Sequence, residues 1–411
     1  MAEVLYLLRL AGRNALRNRR RSIFTLSSIG LGVALFIVSR SFVDGIDTTL
    51  IDIEVKNESG HIRVVPEAYL AEEDYNPLDL PFPEPEEVAL ALVAQQAGTE
   101  VVSRVSFAAE VGDGRRTLRC RGVVIDREAY LRVFDLGALP VPPGDEPYLW
   151  AGIGIASTFG WKPGDRIFLK AKTRRGTLNA LDAVRFAGSI ASGHPLVDNF
   201  SVFLPRDFGA EFLDLPPGFA TEVLARFPTP SYAEAAEVHI ENRFAGQLTT
   251  ETWLERTQDF RDVNALRRSA FNIIVALIML IGAAGAANTA MMSAFERTGE
   301  IGTLLAVGLS PSRVRLLLAA ESVFIAAVGA VLGALVGLLI SLHFARVGIH
   351  FEALQGAEQV TLVPPILYFD VRAQTVQFGV ALGLLVAFLA ALWPAVRASR
   401  LSPIDALREG G

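Results

Sequence analysis

A chain of 411 residues with 51% hydrophobic and only 20% charged side chains is too apolar for an ordinary soluble protein, yet too charged to lie wholly in a membrane. Its mean hydropathy of +0.37 also points to a mixed architecture, and the net charge of −6 hides a basic start and an acidic middle. The single cysteine, Cys120, excludes an internal disulfide, has no neighbours at metal-ligand spacing and reads as an inert core thiol.

Residues 1–21 form a basic N-terminus carrying Arg9, Arg13, Arg17, Arg19, Arg20 and Arg21, which places that end in the cytoplasm. Residues 22–43 are the first apolar span. A basic start and an apolar middle also fit a signal peptide, but no small-x-small cleavage site follows, so the span is read as a retained anchor. Residues 44–266 form a long polar segment of one or two domains, extracytoplasmic by that orientation. This segment reads as mainly β. Gly60 to Val65, GHIRVV, is a short alternating strand, and VSFAAEV and RRTLRCRGVVI flank Gly112-Asp113-Gly114 as a hairpin. AGIGIASTFGWKPGDRIFLKA predicts a short helix, a turn at Lys162 to Asp165 and a strand, and DAVRFAGSIASG adds another. Pro77 to Glu87 is a proline-rich acidic loop, Leu215-Pro216-Pro217-Gly218 a second break, and Glu251 to Arg268 a helix leading into the second span.

The second span is 267–294, followed by a short charged segment at 295–312, a third span at 313–344, an outer loop at 345–372, a fourth span at 373–396 and a tail at 397–411. Arg297, Arg313 and Arg315 lie between the second and third spans, and Arg397, Arg400 and Arg408 follow the fourth, so both termini are expected in the cytoplasm. Arg267 and Arg268 count against that orientation. The fold class expected is therefore an α+β membrane protein: four transmembrane helices, with a large, mainly β extracytoplasmic domain inserted between helices 1 and 2.

The charged segment carries Glu296, Arg297 and Glu300 beside Ile301, Leu304 and Leu305, an amphipathic helix suited to a membrane surface or a partner's groove. Gly308 can close it, and Ser310-Pro311 reads as an N-cap with proline in the next helix's first turn. In the third span Gly329, Gly333 and Gly337 set small residues on one face for close helix packing, and the second span has a similar patch, Gly282 to Ala287. Glu321 is an intramembrane ionisable group, expected to snorkel or to bond a neighbouring helix rather than to move protons.

Enzymatic motifs are missing. No lysine has the glycine frame of a phosphate loop, and neither H-E-x-x-H nor G-x-S-x-G occurs. His194-Pro195 with Asp198 is the one polar cluster that invites a catalytic guess, but it lacks a nucleophile with an adjacent base and reads as a surface loop. No cofactor, metal or nucleic acid is indicated.

Several separated motifs together resemble the FtsX-like permeases of the MacB-type ABC transporter superfamily. Glu296 to Ser322, ERTGEIGTLLAVGLSPSRVRLLLAAES, is similar to the family's cytoplasmic coupling segment and following helix, with Glu300, Ile301, Gly302, Leu305, Gly308 and Glu321 at matching places. Pro394 to Gly410 resembles the C-terminal signature through Pro394, Ala398, Pro403, Ala406, Leu407 and Arg408. SGHIRVV, the AGIGIASTFGWKPGDRIFL unit and RFAGSIASG, with Trp253 before the second span, look most like the lipoprotein-releasing branch.

The resemblance implies a MacB-like periplasmic domain at 44–266 and an FtsX-like permease domain at 267–404, in the bacterial inner membrane. It implies a non-catalytic permease, paired with an identical or homologous second permease and a cytoplasmic ABC ATPase dimer. That dimer would push the segment holding Glu296, Arg297, Glu300, Ile301, Gly302, Leu304, Leu305 and Gly308. In the lipoprotein-releasing branch this extracts lipoproteins from membrane lipids and hands them to a periplasmic carrier by mechanotransmission. The alternatives within the resemblance are a MacB-like exporter of peptides or drugs and a non-transporting regulator of a periplasmic cell-wall hydrolase.

Overall fold

The computed structural model describes residues 19–80, 82–296, 298–350 and 366–398. They fall into two compact units, one of Met1–Asp47, Asp262–Ile349 and Leu367–Gly411, the other of Thr48–Arg261 and His350–Ile366. Arg9, Arg13, Arg17, Arg297, Arg400, Pro403, Ala406, Leu407 and Arg408 lie outside the described residues.

In chain order, α1 (Arg19–Glu54) passes through a wide π-helical turn, Val55–Ser59, into β1 (Ile62–Pro66) and α2 (Glu67–Ala71). Next come α3 (Pro85–Val93), β2 (Glu100–Gly112), β3 (Thr117–Ile125), α4 (Arg127–Val133), β4 (Tyr148–Gly152) and α5 (Ile153–Phe159). They are followed by β5 (Arg166–Lys172), β6 (Leu178–Ile190), α6 (Pro195–Phe200), β7 (Ser201–Pro205), α7 (Arg206–Leu213) and β8 (Glu222–Arg226). The last elements of this unit are α8 (Tyr232–Arg243), β9 (Leu248–Thr252) and α9 (Trp253–Arg256). Then α10 (Gln258–Glu296), α11 (Thr298–Ala306), α12 (Pro311–Val347), the paired short strands β10 (Ile349–His350) and β11 (Ile366–Leu367), and α13 (Ala373–Ala398) complete the described chain.

The sheet unit is built on β2, whose 13 residues serve two sheets. Its second half pairs with β3 and β5, so that six strands close in the order β2-β5-β6-β4-β7-β3 and back to β2. Closure removes open edges, and alternate residues point inward. Phe107, Val111, Leu169, Val184, Phe186 and Leu204 therefore fill the barrel. The first half of β2 pairs with β8, which continues through β1 to β9 as an open sheet. On that sheet α3 and α8 bury Val88, Leu92, Ala236 and Ile240.

The unit is thus mixed α and β rather than mainly β. The hairpin around Gly112-Asp113-Gly114 forms with Gly112 opposite Thr117, and the helix, turn and strand of residues 153–172 fold as the sequence suggests. Two local readings change. Pro85 is the first residue of a helix rather than part of a loop, because its missing N–H is an orphan there anyway. Glu251 and Thr252 close strand β9 before any helix starts, since the alternating LTTET pairs along β1.

In the helical unit four helices are long and apolar enough to cross a membrane, by length and composition: Ile23–Ser59, Ala265–Met292, Pro311–Val347 and Ala373–Leu392. Their shared core joins Ile29, Val33 and Ile37 of α1 with Val275 and Met279 of α10, Ala326, Ala330 and Ala334 of α12, and Ala387 of α13. The core side of α12 is small and its opposite face keeps Val331, Leu335 and Leu339 exposed, as a lipid-facing helix does.

Candidate functional site

Three features stand out: an elbow between α11 and α12, the glycine face of α12, and a buried ionic node in the sheet unit.

At the elbow, Gly308 takes φ +99°, a conformation that side chains resist, and so ends α11 sharply. Ser310 then enters α12 in an extended conformation ahead of Pro311. Ile301 and Val314 are buried against each other's surroundings, with Leu305, Leu309 and Leu318 packed around them, so α11 is pinned to the first turns of α12. Gly302 is buried, while Glu296 and Glu300 lie on the exposed side. The side chain of Leu304 lies outside the described residues, as does Arg297. Val307, 84% exposed at the apex, presents an apolar side chain outward.

The three glycines of α12 meet the backbone of α1. A Cβ on Gly329 would come within 2.7 Å of the Leu26 carbonyl oxygen, and one on Gly337 within 2.9 Å of that of Ala34. At Gly333 it would collide with the backbone of Gly30. Gly30 reciprocates, its own Cβ position lying 2.9 Å from the Gly329 carbonyl oxygen. The expected small-residue face is therefore a close backbone crossing of the first and third spans. Glu321 is half-buried in α12, and Pro394 is buried inside α13.

The ionic node was not anticipated from sequence. Glu222, at the start of β8, is 1% exposed and accepts bonds from Arg63 (2.6 Å), Arg104 (2.9 Å) and the Ser106 hydroxyl (2.5 Å). Burial by itself would raise its pKa, but Arg104 and Arg63 overrule that and hold it far below the carboxylate range. Glu58, in the π-helical turn, accepts from Arg104 at 2.8 Å and from both ends of Arg121 at 2.6 and 2.7 Å. Arg104 also donates to the Glu58 carbonyl at 2.9 Å and to the Tyr130 hydroxyl at 3.2 Å. Arg63 continues to Glu73 and Glu251, and Arg256 of α9 bridges Glu251 at 3.1 Å and Glu54 at 3.5 Å.

His194 completes the node. Its Nε2 lies 2.7 Å from the Glu54 carboxylate and the ring is 3% exposed, so the surface-loop expectation is overturned. Asp198 accepts from the Ser192 and Gly193 amides and the Ser192 hydroxyl, and so folds the loop that aims His194 inward. The residues expected to invite catalysis are structural. Cys120 packs partly buried against the barrel core, and desolvation there pushes its thiol up to about 12. The sequence signal for the node is slight: Arg63 and Arg104 sit inside aliphatic strand segments, where a guanidinium must find carboxylates.

Comparison with known proteins places this geometry. Residues 272–403 match the FtsX-like permease C-terminal family, a range that covers the elbow and the glycine face. The lipoprotein-releasing system transmembrane protein LolC of Neisseria meningitidis serogroup B is 24% identical over 97% of this chain and 98% of its own. LolE of the same system in Haemophilus influenzae is 22% identical over 93% of each chain. The macrolide export ATP-binding/permease protein MacB 1/2 of Paracoccus denitrificans is 31% identical over 33% of this chain and 18% of its own. Among solved structures, the extracellular domain of the noncanonic ABC-type transporter YknZ from Gram-positive bacteria covers 46% of this chain and 100% of its own at 11% identity. Its TM-score of 0.29 is too low for that likeness to bear on the fold. The chain thus carries an FtsX-like permease C-terminal domain over its last three spans and is similar, along almost its whole length, to transmembrane proteins named for the lipoprotein-releasing system.

Proposed function

We propose that this chain is the membrane permease of an ABC transporter that extracts lipoproteins from the inner membrane, driven by an ATPase on a separate chain. The observation that carries the reading is the near full-length match to a protein named for the lipoprotein-releasing system. The permease works as a pair, identical or homologous, over two cytoplasmic ATPase subunits. Both termini are cytoplasmic and residues 44–266 are periplasmic. Arg268, which by charge alone counts against that orientation, is paired with Asp44 and Asp47 and so carries little topological weight.

Force enters at α11. Closure of the ATPase pair presses on Glu296, Glu300 and the exposed Val307; Ile301 and Leu305 pass the load to Val314 because they pack on it; and α12 passes it to α1 through the glycine crossing. The apolar faces of the first and second spans receive the cargo's acyl chains, each buried CH₂ worth about 0.8 kcal/mol. A periplasmic carrier takes the released lipoprotein. The chain's own residues supply leverage and an apolar path, and the chemistry of nucleotide hydrolysis belongs to the partner.

The test is charge reversal at the elbow. Glu300→Lys, or Leu305→Ala, should leave membrane insertion intact yet cut lipoprotein release per ATP hydrolysed about tenfold in proteoliposomes. Normal release by both variants would remove the coupling role. A second reading, export of peptides or drugs, is favoured by the 31% identity to the macrolide exporter over 33% of this chain. Release of a radiolabelled lipoprotein to a soluble carrier supports the first reading, and macrolide resistance lost on deletion of this chain supports the second.

A further inference from the structure

Where α1 ends, Glu54 to Ser59 is gripped from several sides at once. Glu54 is held by His194 at 2.7 Å and by Arg256. The Lys56 carbonyl accepts from the Asp135 amide at 2.9 Å, and Asn57 donates to the Ser192 carbonyl at 2.9 Å. Glu58 accepts from Arg104 of β2 and Arg121 of β3. The Gly60 amide closes the turn onto the Val55 carbonyl. The partners come from β2, β3, α9, the loop at Ser192 to His194 and the backbone at Asp135, so no single torsion releases the segment.

We propose that this segment is a permanent weld rather than a hinge: the grip on the end of α1 stays closed through the working cycle, so rotation of that end turns the barrel with it. A hinge needs an interface that opens at small cost. Opening here would strip Glu58, 1% exposed, of two guanidiniums and leave Arg104, equally buried, facing one fewer carboxylate. Glu54, Glu58, Glu73, Glu222 and Glu251 face Arg63, Arg104, Arg121 and Arg256, and the His194 ring lies on Glu54, the carboxylate whose guanidinium is farthest away.

The weld rests on the transport reading only for what the rotation accomplishes. To test it, Lys56→Cys and Asp135→Cys are combined in a Cys120→Ala background and joined by a short bis-methanethiosulfonate cross-linker. The full-length permease is assembled with its ATPase in nanodiscs. If the segment is a weld, the bridge leaves lipoprotein release within twofold of the unbridged protein. Glu58→Gln lowers release about tenfold, and the bridge restores it until a reductant cleaves it. A tenfold loss on bridging the otherwise native chain shows that the contact must open, and overturns the proposal. Failure of the bridge to rescue Glu58→Gln, with the tryptophan unfolding transition unchanged, overturns it too. If the unbridged native assembly releases nothing, the transport reading fails on its own, and hydrogen exchange decides the weld. The amides of Gly60 and Asp135 should exchange as slowly as the barrel core in the native chain, quickly in Glu58→Gln, and slowly again once bridged; equal exchange in all three overturns the weld.

Discussion

A single methyl group at position 333 is expected to cripple the helical unit. The Cβ of Gly333→Ala would occupy space already filled by the Gly30 backbone, and backbone cannot rotate aside as a side chain can. Overpacking of this kind costs about 1–3 kcal/mol, which for a domain of this size lowers the unfolding midpoint by roughly 3–10 °C. Gly333→Leu should go further and leave the chain unable to accumulate as protease-resistant protein in membranes. The control is Gly299→Ala, where an added Cβ meets nothing within 4 Å and the midpoint should not move. The measurement is thermal unfolding of full-length protein in detergent, followed by size-exclusion chromatography. A midpoint for Gly333→Ala equal to that of Gly299→Ala would show that the first and third spans do not cross backbone to backbone.

What could be read from the sequence divides by range. Gly329, Gly333 and Gly337 were legible because four-residue spacing is a property of one helix, but their partner was not. Nothing local to Leu26, Gly30 and Ala34 says that α12 lies over them, although those three repeat the same spacing. The elbow was legible for the same local reason, with Gly308 and Ser310-Pro311 as adjacent terminators. The hairpin at Gly112-Asp113-Gly114 and the turn at Lys162 to Asp165 carry their own chemistry, the latter through the Asp165 carboxylate accepting the Lys162 amide at 2.7 Å. By contrast α8 escaped notice, since its buried face is Ala233, Ala236 and Ile240, and alanine gives little periodic signal.

The ionic node was illegible for a topological reason. Glu58 and Arg104 lie 46 residues apart, Arg63 and Glu222 159 apart, and only the pairing of β1 and β2 on either side of β8 brings them together. His194 illustrates the same limit. A polar cluster in a loop and a polar cluster capping a buried carboxylate have one sequence and opposite environments.

Arg104→Ala is the second substitution expected to have a large effect. Removing one member of a buried ion network strands its partners in a low-dielectric interior, and such losses run to about 3–5 kcal/mol. For the sheet unit that is roughly 6–20 °C in midpoint. Trp150, fully buried in this unit, and Trp161 report its unfolding by fluorescence. Glu222→Gln should cost a similar amount, because the amide keeps the shape but not the charge that Arg63 and Arg104 need. Acid gives an independent check with a fixed sign. The folded-state pKa of Glu222 is depressed, so its contribution is fully present above the unfolded value of about 4.3 and is lost as pH falls from there toward the folded value. Native protein should therefore lose stability steadily below about pH 4, and Glu222→Gln should show a shallower acid limb over that range. An Arg104→Ala protein within about 1 kcal/mol of native, or identical acid limbs for native and Glu222→Gln, would mean that solvent rather than carboxylate answers these guanidiniums. In that case the end of α1 would rest on its backbone bonds, Asn57 and the contacts of Glu54 with His194 and of Glu58 with Arg121, and Arg104 would add no stiffness to the Glu54 to Ser59 segment.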